Sequence, residues 1–317
     1  MNEFELIDSF FKKRAVTRQD VVFGIGDDAA CLEVPVGYHL LVSTDTLVAE
    51  VHFLSSWDPY AIAWKAVMVN VSDMAAMAAE PCWMSLALTL PDLDLKWLER
   101  FAEGLHAALK QYNITLIGGD TTRGPLSLTL TIHGLTPLGK AIRRSGAKPG
   151  DEIWVSGELG AAAQAVKFLD HQNELEALDF SQLLNKLQYP KPRIDLIPLL
   201  RAHATSAIDI SDGLSGDLNH ICAESNVGAY LDLHSIPIHP LVKKYQEKKA
   251  IQMVLQGGDD YELCFTIPAN RRHDFLQALK EYKLNCYPIG IIENEKGLRG
   301  LYDGQLKTIS SCGYSHF

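Results

Sequence analysis

Polar and apolar residues alternate most regularly at 127–133, SLTLTIH: Leu128, Leu130 and Ile132 fall on one side of an extended chain, and Ser127, Thr129 and Thr131 on the other. A period of two is that of a half-buried strand. A helical period governs 95–110, where Leu98, Phe101, Leu105 and Leu109 recur at three- and four-residue steps and predict an amphipathic helix. Residues 58–80 read differently. Asp58-Pro59 supplies a cap and a first-turn proline, and the apolar run YAIAWKAVMVNVSDMAAMAA predicts a helix closed before Pro81. Asn70 and Asp73, three apart, share one face of it.

Short strand-like runs alternate with these helices, an α/β pattern. After the 127–133 strand, TPLGKAIRRSGAKPGDE gathers Pro, Gly and basic residues into a turn-rich connection. That places a domain boundary near 137 and predicts two domains, 1–136 and 137–317. The second opens with a strand, EIWVSG, then a helix from Gly160, and repeats the scheme with SAIDISDG running into a helix through Asn219. A chain of 317 residues is longer than one core usually serves, which agrees with two domains.

Composition narrows the class. With 47% hydrophobic and 21% charged residues, the chain has enough apolar surface to fold as an ordinary globular protein. Its net charge of −10 would repel nucleic acid and an anionic membrane, and any anionic ligand must be met through some other cation. No apolar stretch is long enough to span a bilayer, and Glu3, Glu5 and Asp8 stand where a secretory signal would carry basic residues, so a soluble cytoplasmic protein is expected. The six cysteines (Cys31, Cys82, Cys222, Cys264, Cys286, Cys312) form no CxxC pair and read as reduced thiols rather than zinc ligands or disulfides.

Three nucleotide or metal signatures nearly match and fail. Gly24, Gly26 and Ala29 follow a strand-like VVF with dinucleotide-fingerprint spacing, but Asp27 and Asp28 between them would repel a bare pyrophosphate. GLTPLGK at 134–140 has P-loop spacing, yet Ala141 replaces the metal-binding hydroxyl and Pro137 removes an N–H from the cradle. DISDG at 209–213 begins like a calcium loop, but Leu214 and His220 occupy the positions that need Gly and Glu.

Carboxylates instead recur at the ends of strand-like runs: Asp27 and Asp28 after VVF, Ser43, Thr44 and Asp45 after Leu40–Val42, Asp120 after Ile114–Ile117, and Asp209, Ser211 and Asp212 in AIDISDG. Ligands of open α/β sheets bind beyond strand ends. Any one of these aspartates would serve as a helix cap or turn residue. As a set with adjacent hydroxyls they are hard oxygen donors suited to Mg²⁺, and burying them unpaired would be costly. Asp73, inside an apolar helix, is no cap. The glycines of GGDTTRG (118–124) free backbone N–H groups for phosphate, with Arg123 as a candidate countercharge; Arg143 and Arg144 serve either phosphate or solvent.

Taken in order, GIGDDAA, STDTLV, NVSDMAAMAAEP, LIGGDTTRG, RSGAKPGD, IDISDGL and GGDDYELCF, with a terminal GYSHF, resemble the thiamine-monophosphate kinases of the PurM-like (aminoimidazole ribonucleotide synthetase-related) superfamily. The resemblance covers nearly the whole chain. It implies an α/β fold with mixed sheets in two domains: an N-terminal one whose sheet pairs with a second subunit's as a β-barrel in a homodimer, and a C-terminal α/β domain. It implies transfer of the γ-phosphoryl group of ATP to thiamine monophosphate, with several Mg²⁺ ions held by Asp28, Ser43, Thr44, Asp45, Asp73, Asp120, Asp209 and Asp212. Asp45, Asp73 and Asp212 would be the most critical of these. Asp28, Gly119, Asp120, Arg144 and Ser211 would contact ATP. His52, Asp259 and Phe317 would meet the thiamine part. Asp259 stands where the family pattern has Glu. No residue is expected to act as a general base, because the acceptor phosphate, with a second pKa of about 6, is already largely ionised at pH 7.

Within the superfamily, a selenophosphate synthetase would need a Cys that residues 1–20 lack, and the hydrogenase maturation factor a C-terminal Cys, whereas Cys312 is followed by further residues. Aminoimidazole ribonucleotide synthetase and a non-catalytic Mg–nucleotide sensor are the alternatives.

Overall fold

A computed structural model describes residues 3–302, 304–311 and 313–314. The chain divides into two compact units, residues 1–74 with 79–140, and residues 75–78 with 141–317.

In the first unit, α1 (Glu3–Leu6) runs into a π-helical turn over Ile7–Lys12. A two-stranded ribbon, β1 (Val21–Phe23) with β2 (Cys31–Leu32), precedes a four-stranded sheet of β3 (Tyr38–Val48), β4 (Glu80–Leu90), β5 (Thr115–Arg123) and β6 (Ser127–Pro137). Its order is β3-β6-β4-β5, with β4 and β5 parallel and the other pairs antiparallel. The helices are α2 (Pro59–Ala76) and α3 (Leu95–Gln111).

The alternating segment is longer than its sequence suggested. β6 pairs with β3 from Ser127 to Pro137 and with β4 on its other side, so ladder bonds carry the strand past the point where Gly134 breaks the pattern. α3 forms where its apolar stripe predicted, and the Asp94 side chain caps it by accepting the Lys96 and Trp97 N–H groups. α2 is buried on nearly every side and stops at Ala76, before the expected end. Ala78 takes a left-handed conformation (φ 52), and the Ala79 N–H donates to the Met74 carbonyl, which ends the helix without a glycine.

The second unit holds β7 (Asp151–Val155), α4 (Ala161–Lys167), α5 (Ala177–Gln188), α6 (Ile197–His203), β8 (Ser206–Asp209), α7 (Leu214–Ser225) and β9 (Gly228–Asp232). There follow α8 (Pro240–Gln246), α9 (Ala250–Gln256), β10 (Leu263–Pro268), α10 (Arg272–Tyr282), β11 (Tyr287–Glu293), β12 (Gly297–Tyr302) and β13 (Gln305–Ile309). The sheet order is β13-β12-β9-β11-β7-β10-β8, antiparallel except for β9 with β12. Both faces of this sheet are covered. Ile153, Val155, Ile208 and Cys264 belong to one core, whereas Trp154, Ala207, Leu263 and Phe265 belong to another, built on edge-to-face contacts of Phe275 with Trp154 and Phe265. Two-sided burial explains why these strands read as unbroken apolar runs. α7 continues past Asn219 because Ile221 and Cys222 extend its buried stripe, until Asn226 turns left-handed (φ 56).

Neither larger sheet closes on itself. Among the described residues no helix is long and apolar enough to cross a membrane.

Candidate active site

β3 is an edge strand of its sheet, and its alternation sorts the expected ligands. Ser43 and Asp45 face inward with Leu47, whereas Thr44 and Thr46 face out, where Thr44 Oγ1 meets Thr131 Oγ1 at 2.9 Å and Thr46 Oγ1 meets Thr129 Oγ1 at 2.9 Å. Asp73 reaches the inner face from α2, and Ser43 Oγ donates to its Oδ2 at 2.5 Å. Burial pushes the Asp45 carboxyl up to about 7, assisted by the negative charge of Asp73 and by a hydrogen bond with it that favours the protonated form. Asp45 Oδ2 is buried without a hydrogen-bond partner.

An orphaned carboxylate oxygen beside a second acid and a hydroxyl is a set of hard donors that fits Mg²⁺. Among the described residues no three His, Cys, Asp or Glu side chains converge to hold a metal by themselves. The fit is therefore of the kind Mg²⁺ tolerates, with one or two carboxylates and the remaining positions filled by water and phosphate oxygens.

Within the first unit a cavity of about 620 Å³ lies between the π-helical turn, the loop 25–30 and the middle of β5. Lys12, Asp27, Asp28, Gly119 and Asp120 line it. Gly119 is required by packing: a Cβ there would stand 1.8 Å from the Leu86 carbonyl oxygen of β4. Asp27, Asp28 and Asp120 are exposed. The cost of burying unpaired carboxylates, expected for the whole set, therefore falls mainly on Asp45. The expectation that the acids cap strand ends also needs correction. Asp45 and Asp120 lie inside β3 and β5, because β6 and β4 continue the pairing beyond them; Asp209 does end β8.

In the second unit the segments 209–213 and 257–262 are laced together. Asp259 N–H donates to Ser211 O at 2.8 Å, Tyr261 N–H to Ile210 O at 2.9 Å, and Ile210 N–H to Glu262 O at 2.7 Å. Gly258 makes the approach possible, since a Cβ would stand 2.0 Å from Ser211 O. Asp259 takes a left-handed backbone (φ 67), and its Oδ1 accepts from the Tyr261 hydroxyl at 2.9 Å. Asp260 accepts the Gly160 N–H at the start of α4, and desolvation pushes its carboxyl up to about 8. Glu262 pairs with Arg193 at 3.0 Å and accepts from Ser156 Oγ at 2.5 Å. Tyr314 N–H donates to Asp212 O at 3.1 Å.

Other expected residues fall apart from these groups. Arg123 is largely exposed and engages Asp92 at 2.9 Å and the Pro91 carbonyl, so its charge is answered within the protein. Arg143 and Arg144 are exposed, their carbonyls accepting from Ala207 N–H and Ser225 Oγ. His52 Nδ1 accepts the Val48 N–H at 3.0 Å, which places the ring proton of the neutral form on Nε2 as a donor. Phe317 lies outside the described residues.

Sequence reasoning missed two residues. Asp217 Oδ2 accepts the N–H groups of Asp212 and Gly213 at 3.1 Å each and so holds the acidic loop; burial, then the charge of Asp212, pushes it up to about 7. Its signal was a carboxylate one helical turn past SDG. Lys12 sits in a segment with no motif.

Two family models match, AIR synthase related protein, N-terminal domain, over residues 26–136, and AIR synthase related protein, C-terminal domain, over residues 148–303. The thiamine-monophosphate kinase of Escherichia coli K12 is 46% identical over 99% of this chain and 98% of its own. The crystal structure of thiamine-monophosphate kinase from Stenotrophomonas maltophilia K279a superimposes with a TM-score of 0.87 at 43% identity, over 96% of this chain and 98% of that one. The structure of AaThiL complexed with AMPPCP and TMP superimposes with a TM-score of 0.80 at 33% identity, covering 99% and 97%.

Proposed function

The chain belongs to the thiamine-monophosphate kinase family, and on that premise we propose how its residues divide the work. The enzyme transfers the terminal phosphoryl group of ATP to thiamine monophosphate, giving thiamine diphosphate and ADP. The observation that carries the division of labour is the half-buried Asp45–Asp73 pair, in which Asp45 Oδ2 is buried without a hydrogen-bond partner. Two acids held together at a cost are poised for a divalent cation.

Asp28, Ser43, Asp45, Asp73, Asp120, Asp209 and Asp212 would hold Mg²⁺ through their side chains, whereas the Thr44 hydroxyl is turned to Thr131 and would not. When bound, Mg²⁺ neutralises phosphate charge and aligns the phosphoryl group for in-line transfer. Asp28, Gly119, Asp120, Arg144 and Ser211 receive the nucleotide. His52, through its Nε2 donor, with Asp259 and Phe317, orients the thiamine part. The shorter Asp259, already bonded to Tyr261, reaches the ligand through water. No side chain removes a proton, since the attacking phosphate oxygen is already ionised; catalysis rests on positioning and charge neutralisation.

The outer face of β3 supports a homodimer built on the N-terminal sheet as a shared barrel. Leu40 and Val42 are 43% and 56% exposed there, on a strand that pairs with β6 and forms the edge of its sheet. We place the enzyme in the cytoplasm, where its co-substrate ATP is found. An assay offering thiamine, thiamine monophosphate and formylglycinamidine ribonucleotide in parallel with MgATP tests the reading. Thiamine diphosphate formed from the monophosphate alone is expected, and turnover of the ribonucleotide would favour the synthetase alternative.

A further inference from the structure

The cavity in the first unit is strongly acidic: Asp8, Asp27, Asp28 and Asp120 line it, and Lys12 is the only cation among its described lining residues. Lys12 is aimed there by the π-helical turn. The Lys13 N–H donates five residues back to the Asp8 carbonyl at 3.2 Å, and this wider turn buries Phe10 and Phe11 while leaving Lys12 exposed. The segment is pinned to α3, with His106 Nε2 2.8 Å from the Phe10 carbonyl oxygen and Arg14 paired with Glu99 at 2.5 Å. Of the three neighbouring cations, Lys13 is engaged by Asp8 at 2.6 Å and Arg14 by Glu99, while Lys12 extends over the loop 25–30. Its ammonium rests against Gly26: a Cβ on that glycine would stand 2.7 Å from Nζ.

We propose that Lys12 is a binding residue for the phosphate chain of the nucleotide, presented by the π-helical turn over the Gly26–Asp28 loop. An acidic cavity admits a polyphosphate only with cations between them, and metal ions held by Asp28 and Asp120 leave the outer phosphate oxygens to be met by the protein. An ammonium on a flexible stem suits that task as a point charge. The proposal rests on the reading of this cavity as the nucleotide site.

The test compares Lys12→Gln, Lys12→Arg and Asp28→Asn in the full-length enzyme, measuring steady-state kinetics and equilibrium binding of a non-hydrolysable ATP analogue and of adenosine, with Mg²⁺ present. Lys12→Gln is expected to raise the KM for ATP and the analogue's Kd by roughly tenfold or more, the scale of one charge-assisted contact. Saturated turnover, the KM for thiamine monophosphate, adenosine binding and the unfolding midpoint should change less than about twofold or not at all. Lys12→Arg should recover most of the loss. Unchanged analogue binding in Lys12→Gln, with weakened binding in Asp28→Asn, overturns the role of Lys12 and leaves the cavity reading standing. Unchanged binding in both variants overturns the cavity reading and this proposal with it. Tighter binding of Mg²⁺ and analogue in Lys12→Gln makes Lys12 a counter-ion for the acids and also overturns the proposal. Equal losses for adenosine and the analogue assign Lys12 to packing.

Discussion

Replacing Asp45 by Asn separates what its carboxylate costs from what it does. In the cation-free protein the carboxyl is pushed up to about 7 from an ordinary value of 3.8, by burial and by Asp73. Between those values the folded state holds more protons than the unfolded state, so the contribution of Asp45 to stability falls as pH rises from about 4 to 7 and stays low above. At 1.36 kcal/mol per pH unit the full penalty is at most about 4 kcal/mol. Asn keeps the shape and carries no charge. Asp45→Asn is therefore expected to unfold several degrees higher than the native enzyme at pH 8 without divalent cations, with about half the gap left near pH 5.5 and none toward pH 4. Saturating Mg²⁺ should raise the native midpoint, since a ligand at a hundred times its Kd adds about 2.7 kcal/mol, and should raise the variant's much less. Turnover of the variant should fall by orders of magnitude. Scanning calorimetry at three pH values with EDTA or Mg²⁺, alongside product formation, reads all of this. Equal midpoints at pH 8 in EDTA, or native turnover at saturating Mg²⁺, would refute the reasoning.

Sedimentation at micromolar concentration should give roughly 70 kDa, twice the 35.1 kDa chain, and a fully active monomer would count against assembly through β3. Gly258→Ala should cost at least about 1–3 kcal/mol and raise the KM for thiamine monophosphate, because a Cβ 2.0 Å from Ser211 O forces the 257–262 segment off the acidic loop; an unchanged KM and midpoint would show that the segment yields freely. His52→Gln should weaken thiamine monophosphate binding while retaining substantial saturated turnover, and a collapse of roughly 10² to 10⁴ would make His52 a general base.

What the sequence disclosed followed the range of the forces involved. The α3 stripe and the alternation of β6 are local periodicities imposed by burial; α3 formed where it was read, and β6 formed over its alternating stretch and on to Pro137. The extents of β3 and β5 were not legible, because strand length is set by pairing with partners far along the chain, and this pairing moved Asp45 and Asp120 from strand ends to strand interiors. The bonds from Asp259 to Ser211 and from Tyr261 to Ile210 join positions about fifty residues apart, and no spacing rule predicts them. Asp45 drew notice by its motif, but its burial beside Asp73 depends on how α2 lies against the inner face of β3, a tertiary fact.

Once residues 38–48 are a strand, the period of two separates Ser43 and Asp45 from Thr44 and Thr46, although STDT is continuous in sequence. The inner positions can then serve only the acid pair, while the outer ones, with Leu40 and Val42, remain at an edge open to a partner. On the proposed dimer and metal site, a single strand would serve chemistry and assembly through one backbone while keeping their side chains apart. Substitutions at Leu40 or Val42 and at Ser43 or Asp45 should therefore fall into different classes of defect, and an outer-face change that reached turnover would have to act by shifting the strand itself.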